Sequence, residues 1–231
     1  MKALILLLAT LAFAAAPSVT PPFTGYDPGL FPVRIERPSI QPAGYAFSIW
    51  GFIFLWLLVS AVAGLWRRAD TTWARPFLPH LAALLLGTAW LAIAPLYPIA
   101  ATITITVMAA CTWAAFLGAA DGSDRWLQQA PLGLFAGWLT AAASVSNGIL
   151  LGGYGWLSDT GAALAMLAIA LVVALIIQSR RPQMPSYSAA VIWACIGVAV
   201  VNWQPNPTAA WAAIAGALVL SLAATTLYLR R

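Results

Sequence analysis

Residues 44–66 read GYAFSIWGFIFLWLLVSAVAGLW, an apolar block closed by Arg67 and Arg68. A run of this composition, within the ~17–25 residues that cross a bilayer as a helix, marks a transmembrane segment. Working outward, further apolar blocks occupy 3–19, 78–96, 99–119, 130–151, 161–178, 187–203 and 208–229. The whole chain has 231 residues, 62% of them hydrophobic and 7% charged, whereas soluble domains carry roughly 25% charged residues. A soluble protein with one greasy anchor is therefore excluded. The fold class is all-α, a polytopic transmembrane helix bundle of about seven or eight helices.

The breaks between blocks carry turn chemistry. Pro95 and Pro98 separate the third and fourth blocks, and Asp121-Gly122-Ser123-Asp124 the fourth and fifth. Gly152-Gly153-Tyr154-Gly155 ends the fifth block, Arg180-Arg181-Pro182 the sixth, and Gln204-Pro205-Asn206-Pro207 the seventh. The glycine-rich stretch at 152–155 lacks the lysine and the strand–helix setting of a phosphate loop, so it reads as a turn. The first block, residues 1–19, fits a first transmembrane helix and equally a signal peptide with small residues before Pro17. Either reading leaves 20–41 as an outside loop.

Charge sets the orientation. With the N-terminus inside, Lys2, Arg67, Arg68, Arg75, Arg125, Arg180, Arg181, Arg230 and Arg231 fall on the inner side, and only Arg34 and Arg37 on the outer. Nine against two is a strong positive-inside bias and favours an even helix count with the C-terminus cytoplasmic. The net charge of +5 is accordingly an orientation signal, with no basic cluster for a nucleic acid.

Catalytic chemistry is sparse. Asp27, Glu36, Asp70, Asp121, Asp124 and Asp159 all read as loop residues, so no carboxylate is available at membrane depth to relay protons. His80, the single histidine, starts the third block, and nothing marks a nucleophile at its level. Cys111 and Cys195 lie inside apolar blocks without metal-motif spacing and read as small buried hydrophobes.

Small and aromatic residues carry more information. Gly133 and Gly137 begin a row continued by Ala141, Ser144, Gly148 and Gly152, the kind of face on which membrane helices approach closely. This predicts that the fifth helix sits at the centre of the bundle. Among twelve tryptophans, Trp66, Trp73, Trp126, Trp156, Trp203 and Trp211 fall at block edges as interfacial anchors. Trp50, Trp56, Trp90, Trp113, Trp138 and Trp193 lie deeper, where each indole must face lipid or find a partner for its N–H. Packing and a pocket for a flat apolar ligand both remain open readings of these six.

The segment from Arg37 to Phe54, RPSIQPAGYAFSIWGFIF, bears on that choice. It resembles the second-helix signature of the TspO/translocator family, the tryptophan-rich sensory proteins, which reads approximately K-P-S-W-x-P-P-x-W-V-F-x-x-V-W-x-x-L-Y. Pro38, Ser39, Pro42 and Trp50 match; Phe47, Trp50 and Phe54 share a helix face at i, i+3 and i+7. Arg75-Pro76, Trp90, Pro131, Gly137-Trp138 and Asn147 follow in the family's order. The likeness covers about residues 1–152, a five-helix unit of which 42–152 is the remainder of the bundle, and 153–231 reads as a C-terminal extension of about three helices. A longer subgroup of tryptophan-rich sensory proteins is the nearest match. Ala43, Tyr45, Gly87 and Thr88 depart from the family pattern, and Asn147 stands one residue further from Trp138 than usual, which makes Ser146 its rival.

The resemblance implies a membrane protein, of the bacterial plasma membrane, that binds a flat hydrophobic small molecule, a tetrapyrrole such as porphyrin or haem or a sterol-like lipid. Its implied ligand-binding residues are Tyr45, Phe47, Trp50, Phe54, Trp90, Trp138 and Asn147, with Pro42, Gly133 and Gly137 structural. No cofactor or metal ligand is implied. Homodimers occur in the family. The competing expectation is a carrier of an apolar metabolite or an accessory membrane subunit.

Overall fold

A computed structural model describes residues 1–21, 23–121 and 124–230. Gly122 and Ser123 of the fourth loop, and Arg231 of the orientation count, lie outside the described residues. Among the described residues there are eight α-helices: α1 (Lys2–Val19), α2 (Ile49–Trp66), α3 (Phe77–Ile93), α4 (Pro98–Gly118), α5 (Ala130–Gly153), α6 (Asp159–Arg180), α7 (Ser186–Asn202) and α8 (Pro207–Leu229). Each matches one apolar block. Six have the length and hydropathy of membrane spans, and α3 and α7, at 17 residues, reach only the lower limit. The protein is an integral membrane helix bundle.

Helix ends follow the local chemistry. Proline at the first turn opens α4 and α8, where its missing N–H has no helical partner to lose. Ser158 caps α6 by accepting the Gly161 N–H at 3.1 Å. Asp159, read from sequence as a loop residue, is the first residue of α6, where a carboxylate suits the positive end of the helix. A π-helical turn, Arg125–Gln129, leads into α5, and Asp124 caps it through the N–H groups of Trp126 and Leu127.

The central position of α5 follows from its small residues. In its 18-residue apolar stretch 72% of the residues are buried, against 17–44% in those of the other long spans. Gly137 lies against the Tyr187 carbonyl of α7, and a Cβ there would fall well inside contact distance. Gly133 faces Ser186 and Phe116 as closely. Thr140 bonds the indole N–H of Trp113 on α4 and the hydroxyl of Tyr187 on α7, at 2.8 and 2.9 Å. One α5 side chain thus ties three helices together.

The start of α1, the end of α8 and most of the described arginines gather at one end of the bundle. There Arg67 pairs with Asp124 at 3.2 Å, Arg125 donates to the Gln183 carbonyl, and Gln183 donates to the Tyr228 carbonyl. Arg181 pairs with Asp121 and donates to the carbonyls of Leu117 and Ala119, satisfying the free acceptors at the end of α4. At the other end the 20–41 segment folds over the helices. Val33 donates to the Gly153 carbonyl, Ala43 to the Gly197 carbonyl, and Asn202 to the Ser39 carbonyl, at 2.8, 3.0 and 2.7 Å. Helices α6 to α8 are packed into the same bundle as α1 to α5, with α7 lying along α5.

Candidate ligand site

The aromatic residues of α2, α3 and α5 converge beneath the 20–41 segment around a cavity of about 330 Å³. That is the lower end of the ~300–1,000 Å³ typical of small-molecule sites. Phe47, Trp50 and Phe54 line it because they share a face across the 3₁₀ turn at Gly44–Ser48 and the first turns of α2. Trp50 and Phe54 stack at 5.3 Å, while Trp138 meets Trp50 and Phe47 edge-on at 6.1 and 5.9 Å. Trp90 faces the cavity with its N–H bound to the Ala101 carbonyl at 2.9 Å. Pro42 contributes to the wall.

Two expected residues lie elsewhere. Tyr45 is 46% exposed and packs edge-on against Trp193 at 5.6 Å. The tight 3₁₀ turn rotates it away from Phe47. Asn147 lies outside the lining and donates to Thr106 Oγ1 and the Ala143 carbonyl at 3.0 and 2.8 Å. Ser146, one residue and about 100° of helix rotation away, lines the cavity instead. Gly133 and Gly137 serve the α5 interfaces already described and lie outside the cavity.

Four of the deep tryptophans have structural bonds. Trp56, Trp90 and Trp193 donate to the carbonyls of Trp126, Ala101 and Ala46, and Trp113 donates to Thr140. Trp138 differs: it is 2% exposed, it lines the cavity, and its N–H has no partner among the described residues. A buried donor without a partner is costly, so Trp138 brings to the cavity wall an indole whose N–H is covered by neighbouring side chains and still unpaired among the described residues.

Several lining residues carry no signal in the sequence. Phe13 reaches in from α1 and meets Trp50, Phe54 and Phe135 at 5.9, 5.1 and 5.6 Å. It fits because residue 87 is glycine: a Cβ there would collide with the Phe13 ring. The 20–41 segment supplies Phe23, Tyr26 and Gln41. Phe23 lies edge-on to Trp90 at 4.8 Å, and the Tyr26 hydroxyl donates to Ser146 at 3.1 Å. Burial raises the Tyr26 pKa above its usual value, its hydroxyl partners offsetting only part of that.

An eight-helix bundle of this hydropathy, enclosing a cavity walled by tryptophan and phenylalanine, belongs to the class of polytopic membrane proteins with an aromatic internal cavity. The sequence matches the TSPO-like protein family over residues 2–226, and the chain belongs to that family. The match runs beyond the five-helix stretch read from the motifs and takes in nearly all of α6 to α8. No curated protein and no solved structure matches the chain.

Proposed function

We infer that this protein binds a flat, largely apolar ligand bearing an oxygen acceptor in the cavity between α1, α2, α3 and α5. The observation that carries the reading is the aromatic wall of Phe47, Trp50, Phe54, Trp90 and Trp138 around one cavity, with the buried Trp138 N–H unpartnered among the described residues. Aromatic walls favour a planar molecule, since ring pairs add ~0.5–1.5 kcal/mol each beyond the area they bury. Tetrapyrroles offer a planar ring with carboxylates, and sterol-like lipids a flat apolar body with a hydroxyl. Both suit the lining, and the family resemblance favours them. The chain works in a bacterial plasma membrane, as a monomer or homodimer, with the arginine-rich end cytoplasmic, as the charge bias argues.

The test is titration of the detergent-solubilised protein with a porphyrin, following tryptophan emission. Saturable quenching in the micromolar range, weakened in Trp50→Phe, is the expected result. Unchanged emission in both proteins overturns the tetrapyrrole reading; the same titration with a sterol then decides between the two ligand classes.

A further inference from the structure

A second cavity, of about 380 Å³, opens at the arginine-rich end between the start of α1, the end of α2, the 67–76 connection and the start of α3. Lys2, Arg67 and Arg68 line it. Arg67 is committed to Asp124 and lies over the Trp73 ring at 5.3 Å. Lys2 sits over the Phe77 ring at 5.6 Å, and neither it nor Arg68 has a carboxylate partner among the described residues. Asp70 is the one carboxylate in the lining. It accepts from the Thr72 hydroxyl and N–H at 2.6 and 2.8 Å, bonds that hold its carboxyl below the usual value. Helix α3 begins here with neither a side-chain cap nor an acidic first turn, although its N–H groups are few: Pro76 and Pro79 have none, and Phe77 donates to the Ala74 carbonyl at 3.2 Å. The rim suits an anion.

Deeper in the same cavity the requirement is different. His80 and Gln128 are 6% and 3% exposed, and His80 Nε2 and Gln128 Oε1 have no partner among the described residues. The amide orientation is fixed, because Gln128 Nε2 donates to the Trp73 carbonyl at 2.7 Å. Its oxygen can only accept, so whatever meets it must bring an O–H or N–H. His80 Nε2 takes a donor or an acceptor according to tautomer. An ammonium-bearing head would supply a donor at the expense of facing three cations; a hydroxyl supplies one without that repulsion.

We propose that this cavity binds the head of a polyol phosphate, the phosphate at Lys2 and Arg68, and a hydroxyl against Gln128 and His80. Such a group comes either from a lipid with a glycerol-phosphate head or from a soluble sugar-alcohol phosphate. The inference is independent of the aromatic cavity, which lies at the other end of the bundle.

Native mass spectrometry of the full chain in detergent, with three added lipids, tests it. Phosphatidylglycerol has the charge and the hydroxyls, phosphatidylethanol the charge alone, and phosphatidylcholine neither net charge nor hydroxyls. Retention is expected in that order, with phosphatidylglycerol held about 3- to 10-fold better than phosphatidylethanol for its hydroxyl contacts. Lys2→Ala/Arg68→Ala, at the exposed rim, should cut retention of both anionic lipids about 10- to 30-fold. Gln128→Met should remove only the preference between them. Glycerol 3-phosphate displacing the lipid and raising the thermal midpoint by itself assigns a soluble source; failure to displace assigns the lipid head. Equal retention of phosphatidylglycerol and phosphatidylethanol by the unmodified protein overturns the proposal. So does retention unaffected by the double rim variant, whatever the folding of Gln128→Met.

Discussion

The carboxylate of Asp159, at the first residue of α6, receives both the backbone N–H of Ser39, at 2.9 Å, and the Ser39 hydroxyl. Asn206, ahead of α8, donates to that same hydroxyl at 2.8 Å and to Thr160 at 2.9 Å. The segment that covers the aromatic cavity is therefore tied at Ser39 to helices beyond the five that the motifs describe.

Asp159→Ala leaves a buried N–H and hydroxyl of Ser39 without their acceptor. A cost of about 1–3 kcal/mol is expected, seen as a lower thermal midpoint in detergent. Proteolysis within 20–41 should quicken at temperatures well below that midpoint. Unchanged proteolysis would show that the remaining bonds to Val33, Ala43 and Asn202 hold the segment unaided.

Gly137→Ala places a methyl group against the Tyr187 carbonyl, a backbone atom that moves only if α7 moves. Overpacking of this kind costs about 1–3 kcal/mol, and Gly137→Leu should abolish assembly. Gly51 is the control, since a Cβ there meets nothing within 4 Å. Expression and monodispersity of Gly51→Ala and Gly137→Ala, compared side by side, give the answer.

Trp138→Phe keeps an aromatic face and removes the unpartnered N–H. Stability should change little, the lost bulk being offset by the loss of an unsatisfied donor. Affinity for a ligand with an oxygen acceptor should fall about 3- to 10-fold, whereas an all-carbon planar probe should bind as before. Equal losses for both probes would argue against a hydrogen bond at this position.

Tyr26→Phe removes the bond to Ser146 and should cost about 1 kcal/mol while speeding ligand exchange, as measured by stopped-flow quenching. The same phenol gives a pH dependence. Its folded-state pKa lies above the ordinary 10.0, so above pH 10 the unfolded chain loses a proton that the folded one keeps. Stability is then lost as pH rises through that window and is unaffected below it. Tyr26→Phe should lessen the decline.

Much of the architecture was legible because hydrocarbon thickness dictates span length: the eight apolar blocks and the eight helices agree to within about three residues, except at the start of α2, where Gly44–Ser48 form a 3₁₀ turn. The central place of α5 was legible from Gly133 and Gly137 for a comparable reason, since only small side chains permit such close approach. Within the site, Phe47, Trp50 and Phe54 could be grouped because their spacing shares a face. Tyr45 and Asn147 went astray through phase, where a 3₁₀ turn or a single residue of offset turns a side chain to another neighbour. Phe13, Phe23 and Tyr26 were invisible, because their position depends on how α1 and the 20–41 segment lie against α3 and α5, and no local pattern encodes that.

The breadth of the aromatic cavity is set by two residues on different helices, a ring at position 13 and a missing side chain at position 87. A smaller residue at 13 clears one of the two side chains that a Cβ at 87 would meet, the other being the flexible end of Met108, so bulk crosses from one wall to the other only if that methionine turns aside as well. Such an exchange would re-shape the cavity through side chains at 13, 87 and 108, so that its form can change by a few coordinated substitutions.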